Sequence, residues 1–392
     1  MRVSSTAAAM TESILRALSM AFAMGWEILW PLILGFALSG VVQAVVTHTE
    51  MARLLPDDGP RSIAKALALG AASSSCSYAA VAIARSLFRK GANFTAAMAF
   101  EMASTNLVLE LSIIMLVFLG WQFTLAEFVA APIMVAILVV LFRMFLNRNL
   151  LDEARKQADK GITGRMEGHA EMDMSVREGG SLWQRITSER GVTAISHYFV
   201  MDWVSVWMDV VGGLLIAGAL AAWVPAEFWQ SFFLVDRPLL AEVWGPIIGP
   251  LVAVIAFVCS VGNIPLAAVL WNGGISFGGV IAFILADLIV LPVLNIYRKY
   301  YGWKMAGFLF ITFYAAMAAA ALVVELLFNA LGLVPAERQA RVVEASVIWN
   351  YTTWLNIVFL ALASLLVWRF LKTGGPAMLR MMNRPSAMGH AH

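Results

Sequence analysis

Cysteine is nearly absent: 392 residues hold two, Cys76 and Cys259. Two thiols in apolar segments make no disulfide framework, and neither lies in a soluble loop where a structural bridge would help. Charge is scarce too. Asp, Glu, Lys and Arg make up 13% of the chain, about half the share usual in soluble domains. The net charge of +2 names no partner, and nucleic acid is not expected to be one. The chain lacks a Walker loop, a nucleotide fingerprint and a zincin motif. Those absences exclude a primary ATP-driven pump within this chain and leave no basis for an enzyme or a cofactor. A channel is disfavoured because no ring of like charges and no filter-like repeat is visible.

What is abundant is apolar sequence, with 61% hydrophobic residues and a mean hydropathy of +0.79. Runs such as 129–145 are apolar on every face, which suits a spanning helix and not the alternating strands of a barrel. The expected fold is therefore an all-α polytopic membrane protein, with the lipid bilayer as its solvent. Stretches at 24–47, 92–118, 122–146, 197–223, 276–297, 304–331 and 345–371 each reach the roughly 20 residues needed to cross. Two further segments, 61–90 and 239–272, carry the cysteines. As straight helices they would rise about 45–50 Å against a hydrocarbon core of about 30 Å. They must break, and the breaks are expected at Ser73–Ser77 and Cys259–Pro265, where Ser, Gly, Asn and Pro weaken a helix.

Sliding the chain on itself by 183 positions pairs Cys76-Ser77 with Cys259-Ser260, Ala84 with Ala267, Gly91 with Gly274 and Phe94 with Phe277. Upstream it pairs Leu32-Ile33 and Gly35 with Leu215-Ile216 and Gly218, so the repeat is a whole structural unit. Lys and Arg alternate between equivalent loops: 85–91 and 298–304 are basic, whereas 268–274 and 115–121 are not. By the positive-inside rule 85–91, 147–191, 298–304 and the tail are cytoplasmic. That assignment requires each broken segment to enter and leave on one face as a re-entrant hairpin. The expected organisation is a lead-in at 1–23 and a first repeat at 24–146, then a cytoplasmic linker at 147–192 and a second repeat of inverted topology at 193–331. An extra transmembrane helix lies in 332–371 and a cytoplasmic tail in 372–392. A homodimer is compatible with the sequence, though no motif demands one.

Broken helices at membrane depth are tolerated only where they line protein or water, so the hairpin tips are the expected binding site. Cys76, Ser75 and Ser77 of one tip should face Cys259, Ser260 and Asn263 of the other. A lone membrane cysteine is usually a small apolar filler, but two on equivalent positions beside polar breaks strengthen a functional reading. Ionisable residues at depth cost roughly 2.5 kcal/mol or more each and are functional by default. Glu101, Ser104 and Thr105 share a face, with Asn106 beside them, and Asp287 sits where the repeat has Ser104. Asp202, Ser205 and Asp209 form a second face, one turn beyond His197. Glu101, Asp287, Asn106 and Asp209 are the candidate proton or ion-coupling groups. Glu27 and Glu325 are explained by snorkelling, and Trp121, Trp223, Tyr300 and Trp303 by interfacial anchoring. His169, Glu171 and Asp173, or His390 and His392, could be drawn as metal sites, but no ligand spacing supports a closed shell.

The runs Ser73-Ser74-Ser75-Cys76-Ser77-Tyr78, Ala84-Arg85-Ser86-Leu87-Phe88-Arg89-Lys90-Gly91 and Phe100-Glu101-Met102-Ala103-Ser104-Thr105-Asn106-Leu107 resemble the predicted-permease family of YraQ-type proteins and ArsP organoarsenical exporters. So does Cys259-Ser260-Val261-Gly262-Asn263-Ile264-Pro265-Leu266. The resemblance spans most of 24–331 and is specific for the family, not for a substrate. It implies a bacterial inner-membrane secondary transporter moving a small solute, with Cys76 and Cys259 as ligands for a trivalent arsenical; soft thiolates suit such a solute. A proton is the implied coupling ion. A different reading stays open: one cysteine in each repeat also suits a membrane thiol-disulfide electron carrier.

Overall fold

The structure, a computed structural model, describes residues 2–45, 52–74, 77–159, 174, 176, 181–256, 260–338, 340 and 351–382, and every regular element among them is helical. α1 (Arg2–Val45) opens the chain and bends by 41° between Trp26 and Ile28. Pro31 lies just beyond the bend; it donates no hydrogen bond and its ring crowds the carbonyl four residues back. Asn356 answers the freed backbone there, its amide donating to the Trp26 carbonyl at 2.8 Å.

α2 (Pro60–Ser73) starts on a proline, where a missing N–H matters least, and stops at Ser74, whose φ of 44° is left-handed. α3 (Ser77–Arg89), α4 (Phe94–Asn106), α5 (Leu109–Phe118) and α6 (Trp121–Phe145) complete the first half. α7 (Arg148–Asp159) and α8 (Leu182–Thr187) belong to the linker and come before α9 (Glu189–Trp223) and α10 (Ala226–Phe232). Next come α11 (Pro238–Ala256), α12 (Ser260–Gly273) and α13 (Phe277–Leu285), then a 3₁₀ turn (Ala286–Ile289), α14 (Leu291–Tyr301) and α15 (Trp303–Ala330). α16 (Tyr351–Lys372) and α17 (Gly375–Met382) close the described chain.

The helix boundaries recur at the spacing of the sequence repeat. Gly91 and Gly274 both take positive φ, 100° and 109°, which a side chain would resist. Two residues on, Asn93 caps α4 and Ser276 caps α13, each accepting from backbone N–H groups of the first turn. Gly120 precedes α6 as Gly302 precedes α15, both with positive φ, so the second half is one residue shorter by that point.

Two sequence expectations are corrected. The stretches 92–118 and 276–297 are not continuous helices: α4 and α5 meet at 42°, and the helices either side of Val290 at 40°. Asn106 turns its amide back onto the Met102 carbonyl at 3.0 Å, and Pro292 cannot continue a ladder from the 3₁₀ turn. Most of the second expected break is also helical. Helix resumes at Ser260, and Gly262, Asn263 and Pro265 lie inside α12.

Four helices among the described residues are long and apolar enough to cross a membrane, and seven are if each bent pair counts as one span. Equivalent helices pack antiparallel. Gly40 of α1 lies against the Ile195 carbonyl of α9 while Gly218 lies against the Ala17 carbonyl. In α6 and α15, Phe142 meets Phe308 with ring centroids 5.2 Å apart, while Phe123 and Phe328 both pack on Phe277, the first tilted and the second stacked. The residues flanking each broken segment also meet. Asn93 donates its N–H to the Leu55 carbonyl at 2.8 Å, and a Cβ at Gly274 would lie 2.5 Å from Val235 Cγ2. Asn272 exchanges hydrogen bonds with Ala340, beyond α15, at 2.9 Å.

The basic loops gather at one end of the bundle. Arg85, expected in a loop, is buried within α3 and donates to the Ala158 carbonyl of α7 at 2.8 Å, with its guanidinium 4.4 Å from the Tyr300 ring. Lys304 pairs with Glu153 at 3.1 Å on the same side.

The crossing of α2 on α4 is tight because a Cβ at Gly70 would lie 2.4 Å from the Phe100 carbonyl oxygen and 2.7 Å from Ala103 Cβ. Gly70→Val should therefore lower stability by about 1–3 kcal/mol through overpacking, measured as thermal unfolding in detergent. Gly307→Ala, at a site with open space around it, should show no loss.

Candidate functional site

A membrane segment buries a carboxyl only where another group answers it, because an unmatched charge in hydrocarbon is expensive. Glu101, Glu110, Glu127, Asp202, Asp287 and Glu325 are all buried, and their partners define the site. The left-handed turn at Ser74 aims its hydroxyl at Glu110, in the first turn of α5, at 2.6 Å. Three residues on, at the start of α3, Ser77 donates to Asp287 at 2.7 Å. One short polar tip thus reaches a carboxyl in its own half of the chain and another in the opposite half.

A second bond crosses in the reverse sense. The Tyr297 hydroxyl of α14 donates to Glu101 of α4. Tyr297 is held rigidly, buried between Tyr301 and Phe313 at ring-centroid distances of 6.4 and 6.0 Å. Asp287 lies close enough to Glu101 and Glu127 for their charges to interact, as Asp202 does to Glu110. Asn263 on α12 is fully buried with both side-chain atoms lacking a hydrogen-bond partner among the described residues, and so are both oxygens of Glu127.

Of the sequence candidates, the structure brings Ser77 to Asp287, places Glu101 in range of Asp287 and buries Asn263. Asn106 is spent locally, donating to the Met102 carbonyl and the Thr105 hydroxyl at the end of α4. Cys76, Cys259 and Ser75 lie outside the described residues, as do His169, Glu171, Asp173, His390 and His392. Ser260 and Asp209 fall within α12 and α9, but their side chains are not described. His197 does not join Asp202; its ring bonds Thr373 at 2.8 Å.

Two null expectations are overturned. Glu325 does not snorkel: it is buried and accepts from the Gly278 N–H, answering the first turn of α13. Tyr300 is not an interfacial anchor but the buried platform for Arg85. Trp121, Trp223 and Trp303 are more than half exposed, as anchors should be.

Glu127 and Tyr297 were missed. Glu127 stands alone in an otherwise apolar span, and that isolation is itself the signal: a single carboxylate on the face carrying Phe123, Ala126, Ala130 and Met134 has to be buried. Tyr297 read as one aromatic among four in a basic stretch.

Helices broken at membrane depth around buried carboxyls make this a polytopic membrane permease in class. The chain belongs to the ArsP_1 family, described as Predicted permease, whose pattern matches residues 13–326. It is similar to Rv2963 of Mycobacterium tuberculosis (strain ATCC 25618 / H37Rv), a protein whose name describes a permease. The two are 61% identical over 348 residues, which is 89% of this chain and 86% of the relative. No solved structure matches the chain.

The Tyr297–Glu101 bond should appear in a double-mutant cycle. Tyr297→Phe and Glu101→Gln should each cost about 1–3 kcal/mol, with a coupling of about 0.5–3 kcal/mol between them. Strict additivity of the two unfolding shifts would count against the bond.

Proposed function

We propose that this permease is a secondary transporter of the bacterial inner membrane that exports a small thiophilic solute by alternating access, with a trivalent organoarsenical as the first candidate. The observation that carries the reading is the pair of reciprocal hydrogen bonds between the two halves, Ser77 to Asp287 and Tyr297 to Glu101. Bonds that tie one half to the other at buried carboxyls are what a rocking motion must break and remake, and a proton arriving at those carboxyls weakens them. Antiparallel packing of α1 on α9 and of α6 on α15 supports inverted repeats at 24–146 and 193–331, joined by the linker 147–192. The remaining divisions are the lead-in 1–23, the added helix within 332–371 and the cytoplasmic tail 372–392.

The meeting of Leu55 with Asn93, and the close approach of Val235, just before α11, to Gly274, just after α12, support two re-entrant hairpins, α2–α3 and α11–α12. Three of the four arms are too short to cross alone, since α2, α3 and α12 each rise about 20 Å at 1.5 Å per residue; α11, with 19 residues, is long and apolar enough to span by itself. Their tips supply the solute site, with Cys76 and Cys259 as thiolate ligands and Ser75, Ser77, Ser260 and Asn263 around them. Glu101 and Asp287 carry the coupling proton, and Asn106 and Asp209 are the further candidates for ion coupling. The bilayer and a small solute are its partners, and the protein works without a cofactor.

Everted membrane vesicles with an imposed proton gradient and phenylarsine oxide as the solute test this reading. Wild type should accumulate the arsenical, and Glu101→Gln, Asp287→Asn, Cys76→Ser and Cys259→Ser should lose gradient-driven uptake. Undiminished uptake in both carboxyl variants would remove proton coupling at these residues. Undiminished uptake in both cysteine variants would remove the thiolate site.

A further inference from the structure

Glu127 is one of the buried carboxyls that the proposed mechanism leaves unused. It lies six residues into α6 from Trp121, about 9 Å along the helix axis, and its side chain is 2% exposed. Neither oxygen has a hydrogen-bond partner among the described residues. α6 packs against α4, α5, α13 and α15, and the titratable groups those elements bring are Glu101, Glu110, Tyr314 and Glu325, with Lys304 at the far end of α15; Asp287 comes from the 3₁₀ turn that follows α13 and packs on α13 and α15. Glu110 is held by Ser74, Glu325 by the Gly278 N–H, Tyr314 by the Ile247 carbonyl and Lys304 by Glu153. Asp287 is the charge that reaches Glu127.

The same step repeats inward. Asp287 is ten residues along its helix from Phe277, about 15 Å from that end. Its charge reaches Glu101, which is bonded to Tyr297, and one turn beyond Tyr297 is Tyr301. The Tyr301 hydroxyl is buried without a hydrogen-bond partner among the described residues, beside Tyr300 and Arg85 at the end where the basic loops gather. Depth from the Trp121 end increases in the order Glu127, Asp287, Glu101, Tyr297, Tyr301.

We infer that this file is the proton route of the transporter and that Glu127 is its port on the side opposite the basic loops. The inference rests on the transporter reading and extends it to residues outside the solute site. A proton entering from that side binds the Glu127 carboxylate; when Asp287 takes it, Glu127 returns to carboxylate and Asp287 becomes the neutral acid. Neutral Asp287 holds the Ser77 hydroxyl less strongly than the carboxylate does, because the charge-assisted bond is the stronger one. Transfer to Glu101 returns Asp287 to carboxylate and restores the Ser77 bond; Glu101, now the neutral acid, gives its proton to the Tyr297 oxygen as the Tyr297 hydroxyl proton leaves towards Tyr301 and the solvent at the basic end. Proton passage is thereby linked to the bond between the two halves.

The test uses full-length protein in liposomes, with phenylarsine oxide on one side and a pH-sensitive dye enclosed. Wild type should move protons when the arsenical moves. Glu127→Gln should lose that proton movement, Glu127→Asp should restore part of it, and Glu153→Gln, at the exposed pair with Lys304, should match wild type. Proton movement at the wild-type rate in Glu127→Gln would overturn the inference, and so would arsenical transport by wild type without proton movement. Infrared spectroscopy of the same samples separates this from failure of the transporter reading. A pH-dependent carboxylic-acid C=O band that disappears in Glu127→Gln supports a proton-binding Glu127 even if phenylarsine oxide is not carried. An identical band in the variant overturns it.

Discussion

A helix that breaks inside hydrocarbon leaves N–H and carbonyl groups that water cannot reach, and side chains must supply what water would have. Most of the polar chemistry of this protein follows from that requirement. Asn356 serves the bend in α1 and Asn106 the end of α4, while at the ends of the bundle Asn93 and Ser276 cap the helices after the two tight glycine turns and Glu325 takes the Gly278 N–H. The groups recruited to satisfy broken backbone are also hydroxyls, amides and carboxyls placed at membrane depth. Structure and chemistry therefore share residues, and Ser74 shows the connection: the left-handed turn that ends α2 is what aims its hydroxyl at Glu110.

Around these breaks the packing is close and apolar, which keeps the few polar contacts dry and strong. Gly70 lets α2 reach the backbone of α4, and Gly245 with Gly279 does the same for α11 on α13. Phe123, Phe277 and Phe328 fill the region at one end, and Phe142, Phe308 and Phe313 the region at the other. Between the two aromatic layers lie the carboxyls. Arg85, buried on Tyr300 and bonded to α7, ties the linker to the bundle where the basic loops converge.

Length and apolarity were readable directly, because the thickness of hydrocarbon sets how long a span must be. The breaks around Ser73–Ser77 were equally readable, since small polar residues in an apolar run compete for backbone hydrogen bonds. The second pair of breaks was not. Asn106 reads in the sequence as an ion-coupling group, but its amide closes the end of α4, and Pro292 starts the second helix of its bent pair without a polar run to announce it. Pro265 points to a break that does not occur: it lies inside α12, where tertiary packing overrides the lost N–H.

The sequence by itself determined a helical membrane protein built from two related halves, and it placed serines beside the first break and carboxyls within spans. These properties depend on local composition and spacing, which a linear chain displays. Only the tertiary structure decided which carboxyl answers which hydroxyl. Ser77 and Asp287 are 210 positions apart, and Tyr297 and Glu101 are 196 apart. Such pairings are fixed by how α3 and α14 pack across the opposite half, and periodicity within a segment carries no information about its distant partner. The burial of Glu127 was decided in the same way, by the four helices that enclose its face of α6.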